Sequence, residues 1–467
     1  MGRSRVSPGE ATVRFVSART KRRPRTDLSF SKYEATSPVT GRLNWRRSTR
    51  RSIVRPLRDF LATEAAGGVA VVLAAVAALI WANSPWSGSY RSLWATDLGV
   101  RLGRYGFSLD LRHWVNDGLM TAFFLVVGLE IKRELVEGEL RERRKAFVPV
   151  AAAVGGMAVP ALIFVAWNLG TAQVRGWGIP MATDIALAVG ILALAGPRFP
   201  AGAKLFLLAL AIVDDIGAIV VIAVFYGSGG RRELLVVAAL IVVCVVAIRR
   251  AGVTAIGAYV CLGAVLWWAL YQAGVHPTLA GVALGLLAPT QPFTPIELVD
   301  RDELVDVSDV GHAVETVRLA KSSVSIVEWL EHRLHPWTSF AVVPIFAIAN
   351  AGVEISGKSL GGAAGSRVAW GVGLGLLVGK PLGIMAATYI VVRLGAGALP
   401  DGTTWRDLTA TAFVAGVGFT VSLFVTELAL VEPHADTAKI AILVASVVAG
   451  TIGLIAARNS SGNVPDP

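Results

Sequence analysis

LFLLALAIVDDIGAIVVIAVFY, residues 205–226, is an apolar run interrupted only by Asp214 and Asp215. Its 22 residues are enough to cross a bilayer as one helix. The midpoint falls between residues 215 and 216, so both carboxylates sit near the hydrocarbon centre. A single ionisable group at that depth costs about 2.5–3.5 kcal/mol on insertion scales. Two in succession are hard to explain as packing, and they mark an ion or proton pathway.

Runs of the same character recur along the chain. Twelve are read as spans: 65–83, 118–135, 146–168, 177–195, 205–226, 234–248, 253–272, 277–288, 337–353, 368–392, 408–430 and 438–457. The eighth, with 12 residues, is short for a crossing. The chain is 54% hydrophobic and 16% charged, against about 25% charged in a soluble protein. The expected fold class is therefore an all-α polytopic membrane protein of about twelve transmembrane helices, since barrel strands show weaker, alternating segments. Cys244 and Cys261 fall inside spans and read as small buried apolar residues, with no disulfide framework and no metal motif around them.

The net charge of +11 is concentrated at one end. Residues 1–60 hold 16 Lys/Arg against 4 Asp/Glu, which leaves the remainder close to neutral. Residues 1–58 read as a basic, disordered cytoplasmic tail that touches anionic lipid rather than nucleic acid. The first apolar run is too long and begins too late for a signal peptide. The membrane domain is set at 59–458, with a cytoplasmic hinge between its halves at 289–336 and a polar tail at 459–467. An amphipathic helix is expected near 314–334. With both termini cytoplasmic, the cytoplasmic segments hold 33 Lys/Arg and the outside loops 10, in accord with the positive-inside rule.

Two spans contain helix breakers. Residues 177–195 carry Pro180, Thr183, Asp184 and Gly190, and residues 408–430 carry Gly416-Val417-Gly418-Phe419-Thr420. Broken backbone at membrane depth is tolerated only where protein or a water-filled cavity satisfies it. Their matching positions in the two halves point to a transporter built from inverted repeats with two discontinuous helices.

Asp184, Asp214, Asp215 and Lys380 lie at similar depth in three spans and read as one site. Successive helical residues point about 100° apart, so Asp214 and Asp215 cannot share a task. One is expected to line an ion cavity and the other to face a neighbouring helix, with Lys380 as counter-ion. Buried carboxylates in like-charged company exchange protons nearer neutrality than free ones. A carboxylate that must lose its proton before it binds a cation is a competition device, and with alternating access it gives cation/proton antiport. Thr183 adds a hydroxyl to an oxygen-rich site that suits Na+ or Li+. The opposed half-helix ends place partial charges that Asp184 and Lys380 can offset. An intramembrane aspartyl protease fits poorly, because Gly-x-Gly-Asp is absent and the two acids are adjacent on one span. No His-Glu-x-x-His, phosphate loop or dinucleotide fingerprint is present, so the reading is a secondary active transporter without cofactor, not an enzyme.

Other charged groups have simpler competing explanations. Glu130, Lys132, Arg133 and Glu134 close the second span and can be read as a snorkelling cluster, as can Glu331, His332 and His335 before the ninth. His276 before Pro277 reads as a capping or packing residue, and Glu427 as snorkelling.

The chain also resembles the NhaA-type sodium/proton antiporters of bacteria over residues 55–458. The motifs are Gly178-Ile179-Pro180-Met181-Ala182-Thr183-Asp184-Ile185-Ala186, Ala209-Leu210-Ala211-Ile212-Val213-Asp214-Asp215-Ile216-Gly217-Ala218-Ile219 and Gly274-Val275-His276-Pro277-Thr278-Leu279-Ala280-Gly281. Further matches are Leu334-His335-Pro336-Trp337, Gly379-Lys380-Pro381-Leu382-Gly383, Gly416-Val417-Gly418-Phe419-Thr420, Asn116-Asp117-Gly118-Leu119-Met120 and residues 127–135. The inverted-repeat layout argued above has this family as one of its type cases.

The resemblance implies twelve helices with the fourth and eleventh unwound where they cross. It implies that Asp214 and Asp215 bind the cation and release protons, that Asp184 and Thr183 offset the half-helix dipoles, and that Lys380 is the essential membrane lysine. It implies electrogenic exchange of Na+ or Li+ for two protons across the bacterial cytoplasmic membrane, activated at alkaline pH. Glu130, Arg133, Glu134, Glu331, His332, His335 and His276 are the implied pH-response positions. It also implies a homodimer joined through an outside β-hairpin near residues 99–114, with a turn at residues 103–106. The chain departs from the family pattern at Glu328-Trp329, where basic residues are expected, and at Glu427, where a small residue is usual.

Overall fold

The computed structural model of the chain describes residues 65–289 and 325–460, apart from positions 103, 104, 137, 197, 228 and 254. The expected basic tail, hinge residues 290–324 and residues 461–467 lie outside the described residues. The described chain opens on α1 (Ala65–Ala82) and a short helix, Ser87–Trp94. An antiparallel hairpin follows, β1 (Asp97–Leu102) with β2 (Tyr105–Asp110), paired from Asp97 opposite Asp110 to Leu102 opposite Tyr105. Gly106 is therefore a strand residue and not part of the turn, and the two turn positions lie outside the described residues.

A π-helical turn, Trp114–Leu119, leads into α2 (Met120–Val136). Then come α3 (Arg143–Asn168), a ten-residue 3-10 run Ala172–Met181, α4 (Ile185–Leu194) and α5 (Ala201–Phe225). The first half closes with α6 (Leu234–Arg250), α7 (Ile256–Ala273) and α8 (Leu279–Leu287). In the second half, α9 (Ile326–Trp337) continues through a π turn, Thr338–Val342, into α10 (Val343–Asn350). The helix leading into the ninth expected span thus begins well before Trp337 and takes in the described end of the expected amphipathic segment. Next, α11 (Arg367–Leu374) continues through another π turn, Gly375–Gly379, into α12 (Lys380–Arg393). The second break lies between α13 (Trp405–Ala415) and α14 (Phe419–Ala429), and α15 (His434–Ser460) ends the described chain.

By length and composition, six helical runs can cross a membrane: Ala65–Ala82, Ala146–Asn168, Ala201–Phe225, Ile256–Ala273, Arg367–Arg393 and His434–Ser460. Counting each bent pair as one span, Ala172–Met181 with α4 and α13 with α14, gives eight. Each pair bends by 43° at its break. The other four expected crossings form helices of 8 to 17 residues, so the sequence expectation of twelve exceeds what length alone supports. In two of them a π turn accounts for part of the deficit, at Trp114–Leu119 before α2 and at Thr338–Val342 before α10.

The surface explains the solvent. Leu73, Ile80, Leu162, Val224 and Val447 are each at least 64% exposed on these helices, an apolar surface that only lipid solvates without cost. The interior holds small residues instead: Ala152, Ala153, Ala410, Ala412 and Ala415 are fully buried, which brings backbones close. Cys244 and Cys261 are exposed rather than buried as expected. A thiol behaves as a small apolar group, so the surface of a lipid-facing helix suits it as well as a core.

The closest crossing fixes the depth of Lys380. Helices α3 and α12 touch backbone to backbone at Gly155 and Gly383. A Cβ on Gly383 would lie 2.0 Å from the Gly155 carbonyl oxygen, and one on Gly155 would lie 2.3 Å from that of Gly383. Lys380 is three residues before Gly383, on the same helix face. Gly383→Ala is therefore expected to force the helices apart, at about 1–3 kcal/mol or more, and to lower the melting temperature in detergent. Gly373→Ala, where a Cβ meets nothing within 4 Å, is expected to leave melting unchanged. Equal melting of the two variants would refute this crossing as the fixed point.

Candidate functional site

The two breaks are stitched to each other. At the first, Met181 ends the 3-10 run, residues 182–184 are extended, and Asp184 caps α4. At the second, residues 416–418 separate α13 from α14. The Asp184 N–H donates to the Val417 carbonyl at 2.7 Å. Asp184 Oδ1 accepts from the Leu187 N–H at 3.0 Å, and Oδ2 accepts from the Thr420 N–H at 3.1 Å and the Thr420 hydroxyl at 2.6 Å. Ser422 Oγ donates to the Ile179 carbonyl at 2.8 Å. Groups freed by one break are thus satisfied by the other, as a water-free environment requires. The Asp184 carboxylate caps the first turns of both α4 and α14, where helix dipoles favour negative charge.

Lys380 answers the opposite pole. Its Nζ donates to the Met181 carbonyl at the C-terminal end of the 3-10 run and lies 2.8 Å from Asp214 Oδ2. Lys380, Asp214 and Thr183 are all 0% exposed. The Thr183 hydroxyl lies 2.7 Å from Asp214 Oδ2 and 3.0 Å from the Ala415 carbonyl, so its one hydrogen serves one of them at a time. Asp214 Oδ1 is buried without a hydrogen-bond partner among the described residues.

Asp215 points elsewhere. It lines a narrow cleft with Thr183, Asp184, Glu130, His335 and Thr420, to which Asp214 and Lys380 do not contribute. Among the described residues no group hydrogen-bonds the Asp215 carboxylate. The helical argument that the two aspartates divide their tasks thus has a definite geometry: Asp214 faces Lys380, and Asp215 faces the cleft. Among the described residues no three His, Cys, Asp or Glu side chains converge as a transition-metal site needs.

The remaining sequence candidates separate into three places. Glu130 and His335 line the cleft, with His335 Nε2 3.8 Å from Glu130 Oε1, and Arg133 pairs with the buried Glu331 beside them. Glu134, in the last turn of α2, is buried next to Gly138 just beyond the helix, whereas His332 is exposed and joins none of these contacts. His276 lies elsewhere, with Nδ1 3.9 Å from Asp117 Oδ1 and its ring edge-on to Phe424.

Sequence reading gave no role to Thr420 or to the buried Asn116 and Asn350, although Thr420 stands in the Gly416–Thr420 motif. Asn350 Nδ2 donates to Asn116 Oδ1 at 2.7 Å, and the reverse contact is 3.3 Å. The snorkelling expected of Glu427 is corrected: it pairs at 2.6 Å with Lys439, which is buried in α15. A lysine five residues into a membrane helix was the available signal for that pair.

With this geometry in hand, comparison with known proteins is informative. The sequence profile described as Na+/H+ antiporter 1 matches residues 58–456. A protein named Na(+)/H(+) antiporter NhaA 3 from Frankia alni is 46% identical over 414 residues, covering 88% of this chain and 89% of the relative. Na(+)/H(+) antiporter NhaA 2 of Sorangium cellulosum is 44% identical over 423 residues, covering 87% and 90%. Na(+)/H(+) antiporter NhaA of Shewanella pealeana is 43% identical over 403 residues, covering 85% and 96%. The matched region contains both breaks, the aspartate pair and Lys380, and the chain belongs to the Na+/H+ antiporter 1 family as a multi-pass membrane protein.

Proposed function

We propose that this protein is an electrogenic secondary transporter that expels Na+ or Li+ from the bacterial cytoplasm in exchange for protons, two per cation, with no cofactor. The observation that carries the reading is the Asp215 carboxylate on the cleft, without a hydrogen-bond partner among the described residues, beside an Asp214–Lys380 pair that is charge-neutral. The Asp184 charge is offset by two helix N-termini. Of the three aspartates, Asp215 alone then keeps an uncompensated negative charge at the cleft. It is met either by a proton or by a small hard cation with oxygen ligands, and the two exclude each other; the second proton of the exchange is carried by the Asp214–Lys380 pair. Thr183 and Thr420 supply further oxygens on the same cleft.

The finer features rest on the same residues. Both termini face the cytoplasm, twelve segments cross the membrane as inverted repeats, and the cleft opens inward past Glu130 and His335. The Glu130–His335 and Arg133–Glu331 contacts at that mouth are the pH-responsive group. The hairpin of β1 and β2 joins two copies, and anionic lipid meets the basic tail.

Everted vesicles carrying a pH gradient test the exchange. Added Na+ is expected to dissipate the gradient, and Asp214→Asn or Asp215→Asn to abolish that response. Normal exchange in both variants would remove the site assignment, and a cation conductance without proton counter-flow would replace antiport by a channel. A second measurement separates packing from transport at Lys380. Lys380→Ala leaves Asp214 buried and unpaired, at a cost of about 3–5 kcal/mol. The double variant Lys380→Ala with Asp214→Asn is expected to regain most of the lost melting temperature but none of the exchange. Recovery of exchange would make the pair structural only.

A further inference from the structure

The cleft has two unlike walls. Asp215, Asp184, Thr183 and Thr420 come from α5 and the two broken spans. The other wall is built by α1, α2 and α9–α10, and at depth it contributes Val71, Phe123, Val126, Val127 and Val343. Glu130 and His335 stand at its mouth. Beyond that pair, the polar side chains on this wall are Thr338 and Ser339, from the π turn that joins α9 to α10. Single π turns inside helices are frequent at functional sites. His335, Ser339 and Val343 are spaced four apart and all line the cleft, so Ser339 lies one turn, ~6 Å, inward of His335.

Two adjacent glycines on α1 set the level of Ser339. A Cβ on Gly67 would lie 3.0 Å from the Ser339 Cβ, and one on Gly68 would lie 2.8 Å from the Ala186 carbonyl oxygen. Neighbouring residues differ by only ~1.5 Å along a helix. Ser339 is therefore close to the level of the first turn of α4, the turn that Asp184 caps. It is 9% exposed. The other three hydroxyls on the cleft have fixed acceptors for their hydrogens. Thr183 serves Asp214 or the Ala415 carbonyl, Thr420 serves Asp184, and Thr338 donates to the His335 carbonyl at 2.9 Å. Among the described residues the Ser339 hydroxyl has no hydrogen-bond partner. A polar group so deeply buried calls for a partner that these residues do not supply.

We propose that Ser339 is a ligand of the transported cation, reaching it from the wall opposite Asp215 and setting how tightly the site holds Na+ relative to Li+. This rests on the antiport reading above. The Asp215 carboxylate and the oxygens of Thr183 and Thr420 belong to one wall. A dehydrated alkali cation held by that wall alone keeps one side without oxygen. The opposite wall is apolar at depth except for the π turn, and there Ser339 carries the hydroxyl that is not already engaged. Its oxygen closes the coordination across the cleft. When the cation leaves, the same hydroxyl turns its hydrogen toward the acidic wall, so neither state of the site strands it. Na+ is larger than Li+ and takes more ligands, so the loss of one oxygen costs Na+ more.

The test compares the unsubstituted protein with Ser339→Ala, Ser339→Cys and Thr338→Val in proteoliposomes at one alkaline pH, reading exchange against Na+ and against Li+ concentration. Ser339→Ala is expected to raise KM several-fold for Na+ and less for Li+, with kcat little changed. Ser339→Cys keeps the volume but offers sulfur, a poor ligand for a hard cation, and is expected to raise KM in the same way. Thr338→Val keeps the shape without the hydroxyl and is expected to leave both KM values unchanged. Binding is read separately, as the rise in melting temperature of the detergent-solubilised protein with added Na+. Ser339→Ala is expected to need several-fold more Na+ for the same rise. If Ser339→Ala does not fold, Ser339→Cys carries the comparison. Unchanged KM and unchanged Na+ stabilisation in Ser339→Ala would overturn the proposal. A normal KM in Ser339→Cys, which a packing role predicts, would overturn it too, as would an equal rise in Thr338→Val. Absence of Na+-driven exchange by the unsubstituted protein would remove the antiport reading, and the assignment of Ser339 with it.

Discussion

The Asp184 carboxylate accepts hydrogen bonds from the first turns of two different helices, and the rest of the site is arranged around that fact. Two broken spans in a bilayer expose backbone groups and helix-end charges that no water can satisfy. Asp184 ends this deficit at two helix N-termini at once, and its own N–H closes on Val417. Locking the breaks together holds Thr183 against Asp214 and turns the Met181 carbonyl toward Lys380. Lys380 is delivered to that point by the glycine crossing of α3 and α12, where only a residue without a side chain lets the backbones meet.

Charge bookkeeping then assigns different states to three acids of one type. Asp184 is held by helix dipoles and a threonine, and Asp214 by an ammonium and a hydroxyl, while Asp215 has no protein partner among the described residues and opens on the cleft. A group with no fixed partner is the one whose occupancy can change.

Much of this was legible in the chain. The length of the apolar runs identified the solvent, the paired aspartates identified the centre, and Pro180, Thr183 and the Gly416–Gly418 stretch located both breaks. Gly190 gave a false signal, because it lies within α4, where a small residue eases packing without interrupting the helix. The count of crossings was less secure, because π turns shorten the regular helices before α2 and α10. Glu427 was misread for a different reason: its partner Lys439 lies on another helix, and burial of an ion pair is invisible in either segment alone.

Hydropathy and helical geometry are local, so the sequence by itself determined that Asp214 and Asp215 lie at the membrane centre and cannot face the same way. Which of them meets Lys380 depends on the rotation of α5 against α12, and that rotation is set by contacts between residues far apart in the chain. Only the tertiary structure decided that Asp214 is neutralised and Asp215 is left to the cleft.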